Sequence, residues 1–550
     1  MSNAEARQSG AMKNPPAFAA EWAASDVARA DVGRYPRFAD HGRPDLPDIV
    51  ADLGAGEIAA RIAAWRAGNR QFDALFRESV PPAQALRRLA LTHWSSGDPR
   101  QASAILATAA AISPADAVLW QELGSTLQAI GDRSGARDAF EWSVALEPGS
   151  ARAWLGLGLV ANELSDERRA EEAFAAAFER DPNLSEAGFG LGLVCFEQRR
   201  YAEAAGHWRA AIAAGCANPQ VCLGLGQCLF FLGEFAAAAS AFAPYVGSGA
   251  ADANIVRRFA LTRFLETAIS ATAEAAHEAY RSAAGADAEA PAMVSRAAFQ
   301  ILSAYGHREA ALRIGRVSLS GDGDDPVQRY LLDAVTGEGH DRAPRDYLVR
   351  YFDQFAESFD RQLVEVLGYR VPEQLVAMIA ATGSPLSRVL DLGCGTGLAG
   401  PLLRAGRTRL VGVDLSPRML DKSAARGCYD ALVEADMVTF LEQTSERFDL
   451  VFAADALIYL GDLHGFLAAA GRVATAGGML AFNVETTTRA DYALLPSGRF
   501  AHRVEALLAS AAPWFELEAN QPAFLRNEAN RKVNGALLLL RRRADPGLGG

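Results

Sequence analysis

The chain has 550 residues, half of them hydrophobic, with 66 acidic against 54 basic side chains and a net charge of −12. That length accommodates three or four domains with sizeable cores. The acid excess argues against a nucleic-acid phosphate backbone as the main partner, which needs clustered positive charge.

Lysine is confined to Lys13, Lys422 and Lys532. The cysteines (Cys195, Cys216, Cys222, Cys228, Cys394, Cys428) form no C-x-x-C pair, and the histidines no H-x-x-x-H, so no metal site is expected. The cysteines read as small buried residues in a reducing cytosol. The N-terminus lacks the apolar core of a signal peptide and nothing later reaches membrane-span length, so a cytoplasmic location is expected.

Residues 1–82 are expected to be a helical, partly disordered segment. Within them, Asp52-Leu-Gly-Ala-Gly-Glu57 imitates the front of a nucleotide loop. It lacks a third glycine, Pro47 leaves little room for a strand before it, and Ile58, Ile62 and Trp65 after it follow a helical period. It is read as structural.

From residue 83 a repeat takes over. Gly124, Gly158, Gly192 and Gly226 are spaced by 158 − 124 = 34 residues, each preceded by Leu. Small residues (Ala102, Ala136, Ala170, Ala204, Ala238) and large ones (Leu106, Phe140, Phe174, Trp208, Phe242) keep the same step, and Pro114, Pro148 and Pro182 close three units. This pattern resembles the tetratricopeptide repeat, a helix-turn-helix unit that stacks into a solenoid. Five units are expected over 83–252, the small residues letting helices approach and the large ones filling the next unit's groove. The resemblance implies recruitment of a protein partner.

Residues 253–335 are expected to continue as helix and cap the solenoid, with Gly306 and Ala311 marking one degenerate unit. Ser320-Gly-Asp-Gly-Asp-Asp-Pro326 looks calcium-like, but Pro326 stands where a ligand belongs, and it is read as a loop. Residues 336–346 are expected as a linker.

The last domain is expected at 347–550. Its first helix carries Tyr351, Phe355 and Phe359. An apolar run broken by Asp391 stands at Val389–Leu392, and runs ending in an acid follow at Leu410–Asp414, Ala431–Asp436, Phe448–Asp455 and Gly478–Glu485, as in a parallel sheet with a ligand crevice at one end. Gly393, Gly395 and Gly397 follow the first run, and Asp414 lies about twenty residues beyond them, the distance at which an acid reaches ribose hydroxyls.

Asp391-Leu-Gly-Cys-Gly-Thr-Gly397, Val411-Gly-Val-Asp-Leu-Ser416 and Glu434-Ala-Asp-Met437 together resemble the class I S-adenosylmethionine-dependent methyltransferases. From residue 83 onward the chain is similar to bacterial methyltransferases with N-terminal tetratricopeptide repeats. The expected fold is thus an all-α solenoid followed by an α/β Rossmann-like domain.

The resemblance implies S-adenosyl-L-methionine as cofactor. By position, Asp391, Gly393, Gly395 and Gly397 would hold its amino-acid end, Asp414 its ribose, Leu415 and Met419 its adenine faces, and Asp436 with Met437 the adenine edge. Tyr351, Phe355 or Phe359 would close over it as a lid. Asp455-Ala-Leu-Ile-Tyr-Leu460 departs from the Asn/Asp-Pro-Pro-aromatic motif of nucleic-acid and protein-amide aminomethylases. Tyr459 and His502 are the candidate catalytic or anchoring groups, and Arg499 a candidate for an anionic acceptor. The segment from Glu485 to His502 is expected as a long irregular loop beside the acceptor. A glycine near Asn530 and a proline near Lys532 would complete the likeness, and neither is present. Three readings stay open: a methyltransferase whose repeats recruit a protein partner or protein substrate, a small-metabolite methyltransferase with repeats for assembly, and a scaffold that only senses cofactor.

Overall fold

The computed structural model describes residues 53–77, 80–322, 325–357, 359–361, 363, 368–404, 409–528 and 531–544. Residues 1–52 of the segment expected at 1–82, and residues 529–530, lie outside them. The chain divides into two compact units, one ending at Ala251 and one beginning at Asp252.

In the first unit, Gly54 of the imitation loop caps the helix Ala55–Gly68. Five helix pairs follow: Pro82–Ser95 with Pro99–Ile112, Ala117–Ala129 with Arg133–Leu146, Ala151–Glu163 with Glu167–Arg180, Ser185–Glu197 with Tyr201–Ala213, and Gln220–Phe231 with Phe235–Gly247. Each pair turns through a residue of positive φ: Gly97, Gly131, Ser165, Arg199 and Gly233, again 131 − 97 = 34 apart. The next residue in the first three turns, Asp98, Asp132 or Asp166, caps the second helix by accepting from Gln101, Gly135 or Arg169 N–H. Trp120 and Trp154 donate their indole N–H to the carbonyls of Pro114 and Pro148, tying the first helix to the turn before it.

The 34-residue glycines exist for the aromatic rings. A Cβ on Gly158 would come within 2.6 Å of Phe174, on Gly192 within 2.3 Å of Trp208, and on Gly226 within 2.6 Å of Phe242. The ring also meets a glycine of the following unit: a Cβ on Gly156 would lie 2.3 Å from Phe140, and one on Gly190 2.6 Å from Phe174. Phe140, Phe174 and Trp208 are therefore clasped between glycines of two successive units, rather than filling only the next unit's groove.

The second unit begins with the helices Ala253–Ser270, Ala273–Ala284, Pro291–Ala304, Arg308–Asp322 and Pro326–Thr336. In the pair 291–322 the pattern is inverted, Phe299 on the first helix facing Gly315 on the second. The expected loop at 320–326 is mostly not a loop. Helix persists through Asp322, and Asp325 caps the next helix by accepting from Val327 N–H.

A nine-stranded sheet runs in the order β3-β2-β1-β4-β5-β7-β6, with β9 pairing both β5 and β8. The strands are β1 Arg388–Leu392, β2 Arg409–Asp414, β3 Ala431–Glu434, β4 Phe448–Ala453, β5 Ala474–Thr486, β6 Tyr492–Leu494, β7 Phe500–His502, β8 Phe515–Glu528 and β9 Arg531–Arg542. Strands β1 to β5 are parallel, whereas β9 runs antiparallel to β5. Residue alternation splits the apolar core between the two faces: Leu390, Leu392, Val411 and Val413 on one, Val389, Leu410, Leu450 and Phe452 on the other.

Two expectations about connections change. The stretch expected as a linker is pinned along the loop after β4: the Asp341 carbonyl accepts from Gly461 and Asp462 N–H, and Ala343 N–H donates to the Tyr459 carbonyl. The segment expected as an irregular loop before His502 contains the antiparallel β6–β7 pair.

Candidate functional site

Chain order reverses between β1 and β4, which opens a crevice at the carboxyl ends of the strands. Gly393, Gly395 and Gly397 line it with φ of 67°, 53° and 82°, the left-handed region that favours glycine. A Cβ at Gly393 would also press to 2.7 Å on Ala456. Asp414, at the end of β2, braces this turn: one carboxylate oxygen accepts from Gly395 N–H and the other from Ser416 N–H, both at 2.8 Å. Burial raises its carboxyl above the usual range, partly offset by those bonds. The carboxylate keeps acceptor capacity for a ribose hydroxyl.

Asp391 is 2% exposed, and burial pushes its carboxyl up to about 7 even though Tyr429 donates to it at 2.6 Å. Its second oxygen has no hydrogen-bond partner among the described residues. Tyr429 reaches it by lying on Gly412, where a Cβ would come within 2.9 Å of the ring. Gly412 of Val-Gly-Val-Asp thus serves the first acid of the glycine loop, and Tyr429 was missed from sequence because no motif contains it.

Asp436 caps the helix Met437–Gln443, accepting from Val438 and Thr439 N–H, and its other oxygen takes the Arg342 guanidinium. Against burial, those bonds hold its carboxyl below the usual range. Leu415 and Met437 are half-buried beside the crevice. Met419, expected against adenine, is fully buried beneath Phe355 and Ala356, with Tyr351, Phe352 and Phe359 packed on the same cluster. Tyr351 stacks on Phe355 at 5.0 Å, Phe352 meets Tyr459 edge-on at 5.6 Å, and Gly395 faces the Phe359 ring. Four polar contacts tie this aromatic segment down: Ser416 hydroxyl to Asp353, Lys422 to Glu357, and both Thr396 and Arg426 to Asp360.

Past β4 the crevice is ionic. Asp455 adopts a left-handed backbone at φ 54° and exchanges two 2.7 Å hydrogen bonds with Asn483. Arg526 from β8 reaches Asp455 at 3.0 Å and also binds Glu485, while Arg499 binds Glu485 at 2.9 Å and Glu528. Burial opposes ionisation of Glu485, but Arg499 and Arg526 hold its carboxyl below the usual range. Arg499 is therefore buried within the protein's own ion pairs, not open at the surface. Arg526, Glu528 and Asn483 were missed because they sit on strands far from any motif. The alternation Phe524, Arg526, Glu528 on β8 was the available signal.

Tyr459 lies next to this cluster, burial pushing its phenol up and Arg499 and Arg526 pulling it down. His502, on β7, is 2% exposed with Nε2 donating to the Leu460 and Gly461 carbonyls at 2.9 and 3.1 Å. Burial lowers its pKa, so the ring is neutral.

The sheet order, the left-handed glycine turn and the acid ending β2 resemble the Rossmann-like fold of class I methyltransferases. The methyltransferase-domain family model matches residues 390–482, and the tetratricopeptide-repeat model matches 122–184, 163–219 and 189–255. The chain thus joins tetratricopeptide repeats to a methyltransferase domain.

Human methyltransferase-like protein 27 is 40% identical over 88 residues, 15% of this chain and 36% of that protein. The malonyl-[acyl-carrier protein] O-methyltransferase of Hamiltonella defensa is 31% identical over 135 residues (24% and 49%), and the trans-aconitate 2-methyltransferase of Paracidovorax citrulli 30% over 147 (26% and 52%). The chain spans about half or less of the length of these relatives. Among solved structures, the N-methyltransferase NodS of Bradyrhizobium japonicum WM9 with S-adenosyl-L-homocysteine aligns at 17% identity over 36% of this chain and 99% of that one, TM-score 0.31. MamA aligns at 19% identity over 30% and 91%, TM-score 0.29.

Proposed function

We propose that the protein is an S-adenosyl-L-methionine-dependent methyltransferase whose repeat array recruits a protein partner or protein substrate. The observation that carries this reading is the left-handed Gly393–Gly397 turn braced by Asp414, inside the segment matched by the methyltransferase family model. Glycines at 393, 395 and 397 leave room for a small charged ligand end to approach the turn, and the carboxylate of Asp414 suits vicinal hydroxyls.

S-adenosyl-L-methionine supplies a methyl group on a sulfonium, so the protein's task is alignment of an acceptor and exclusion of water. In this reading the free oxygen of Asp391 takes the amino-acid end, Gly393, Gly395 and Gly397 leave it room, and Asp414 takes the ribose. Leu415, Asp436 and Met437 frame the adenine, with Met419 supporting from below. Tyr351 covers the site, and Tyr459 borders the acceptor. His502 acts by holding the loop that carries Tyr459. A cytoplasmic location is supported by six cysteines that all stand free.

Calorimetry with S-adenosylhomocysteine tests the reading. Wild-type protein should bind without added metal and Asp414→Ala at least about tenfold more weakly, through loss of two charge-assisted hydrogen bonds. Unchanged affinity in the variant would remove the assignment.

A further inference from the structure

The ionic end of the crevice has a charge imbalance with a chemical consequence. Two guanidiniums, Arg499 and Arg526, are met by three carboxylates, Asp455, Glu485 and Glu528, joined in one network of contacts. At neutral pH the network carries one net negative charge. Its carboxylates are not saturated. Glu485, 5% exposed, gives a single oxygen to both arginines, and Glu528 likewise gives one. The other oxygen of each has no hydrogen-bond partner among the described residues. The Tyr347 hydroxyl, on a side chain 6% exposed beside Gly498, has none either. These oxygens keep acceptor capacity that a ligand can complete.

We propose that the methyl acceptor is an amine, held and deprotonated by the spare carboxylate oxygens of Glu485 and Glu528; this rests on the methyltransferase reading above. The amine lone pair forms the new nitrogen–carbon bond and the carbon–sulfur pair returns to sulfur. The proton displaced from nitrogen passes to the Glu528 carboxylate, the more open of the two at 25% side-chain exposure. During the methyl transfer, before that proton leaves, positive charge moves from sulfur to nitrogen, and a network of net −1 stabilises it at both ends. A carboxylate acceptor would be the fourth anion against two guanidiniums already engaged, a like-charge cost in a site of low dielectric. The phenols of Tyr347, Tyr351 and Tyr459 add acceptor oxygens and ring faces suited to a cation.

Full-length protein saturated with S-adenosylhomocysteine is titrated by calorimetry with benzylamine and, separately, with benzoate. Benzylamine should bind at least about tenfold more tightly than benzoate, and Glu528→Gln, which keeps shape and one acceptor, should reduce that preference to about threefold or less. Equal or tighter binding of benzoate, no binding of benzylamine, or an unchanged preference in Glu528→Gln overturns the proposal. Failure of S-adenosylhomocysteine itself to bind removes the methyltransferase reading, and the amine assignment with it.

Discussion

Tyr429 donates its hydroxyl to Asp391 at 2.6 Å from a position 38 residues downstream, and it does so across Gly412, the residue paired with Asp391 on the neighbouring strand. The acid at the head of the glycine loop is thus held by a phenol in an almost solvent-free niche. Its folded pKa of about 7 is the result, burial outweighing the phenol's stabilisation of the anion.

That value fixes a pH dependence. Because the folded pKa lies above that of the unfolded chain, Asp391 contributes stability that is complete below about pH 4 and lost as pH rises through about 7. Thermal melts should therefore show Asp391→Asn gaining on wild type between those limits and holding a constant difference above. Cofactor affinity runs the other way. If the carboxylate takes the ligand ammonium, S-adenosylhomocysteine binding should weaken by up to about tenfold per unit below pH 7 and show no such slope in Asp391→Asn. A wild-type slope that persists in the variant places the titrating group elsewhere.

Much of this was legible in the sequence because it repeats or because it is local. The 34-residue period was written in Gly124, Gly158, Gly192 and Gly226, and the strand ends at Leu392, Asp414 and Glu485 in short apolar runs. What escaped was nonlocal. Arg526 meets Asp455 from 71 residues away and Arg342 meets Asp436 from 94, and no periodicity connects them. The stretch around Gly337 read as a linker because Gly and Pro punctuate it, yet its carbonyls and amides pair with the loop after β4, a choice made by tertiary contacts. Met419 read as an adenine neighbour by motif position, but the aromatic helix packs on it.

The repeat turns offer a second test. Ser165 and Arg199 occupy left-handed positions at φ 56° and 61° that the equivalent turns give to Gly97, Gly131 and Gly233. Ser165→Gly should remove that strain while adding some unfolded-state entropy, for a net gain of about 0.5–1 kcal/mol. Urea denaturation of a fragment ending at Ala251 measures it, and a loss of stability would show that the Ser165 turn is unstrained.

A third concerns where the methyltransferase unit begins. Tyr330 donates its hydroxyl to the Gly498 carbonyl at 2.8 Å, and Tyr330 and Leu331 cover Gly498 next to Arg499. A fragment of residues 340–550 lacks that cover, whereas one of residues 252–550 keeps it. The longer fragment should melt cooperatively and bind S-adenosylhomocysteine like full-length protein, the shorter at lower temperature and with a disturbed ionic cluster. Identical melting temperatures would mean that the helices before Gly337 contribute nothing to the sheet domain.

The last concerns His502. Carbonyls only accept, so the hydrogen shared between Leu460 and Gly461 sits on Nε2, and that nitrogen is committed to the loop carrying Tyr459. Nδ1 is buried with no hydrogen-bond partner among the described residues. A ring so placed is a positioning residue rather than a base. His502→Ala should leave S-adenosylhomocysteine affinity nearly unchanged but speed hydrogen exchange at the Gly461 and Asp462 amides, which are bonded to the Asp341 carbonyl. His502→Gln, whose amide can donate to the same carbonyls, should restore slow exchange. Turnover of an amine acceptor should follow the same order, with His502→Gln within about threefold of wild type. A base would show losses of about a hundredfold or more in both variants, and slow exchange in both. That pattern would return His502 to the chemistry and leave the loop to hold itself.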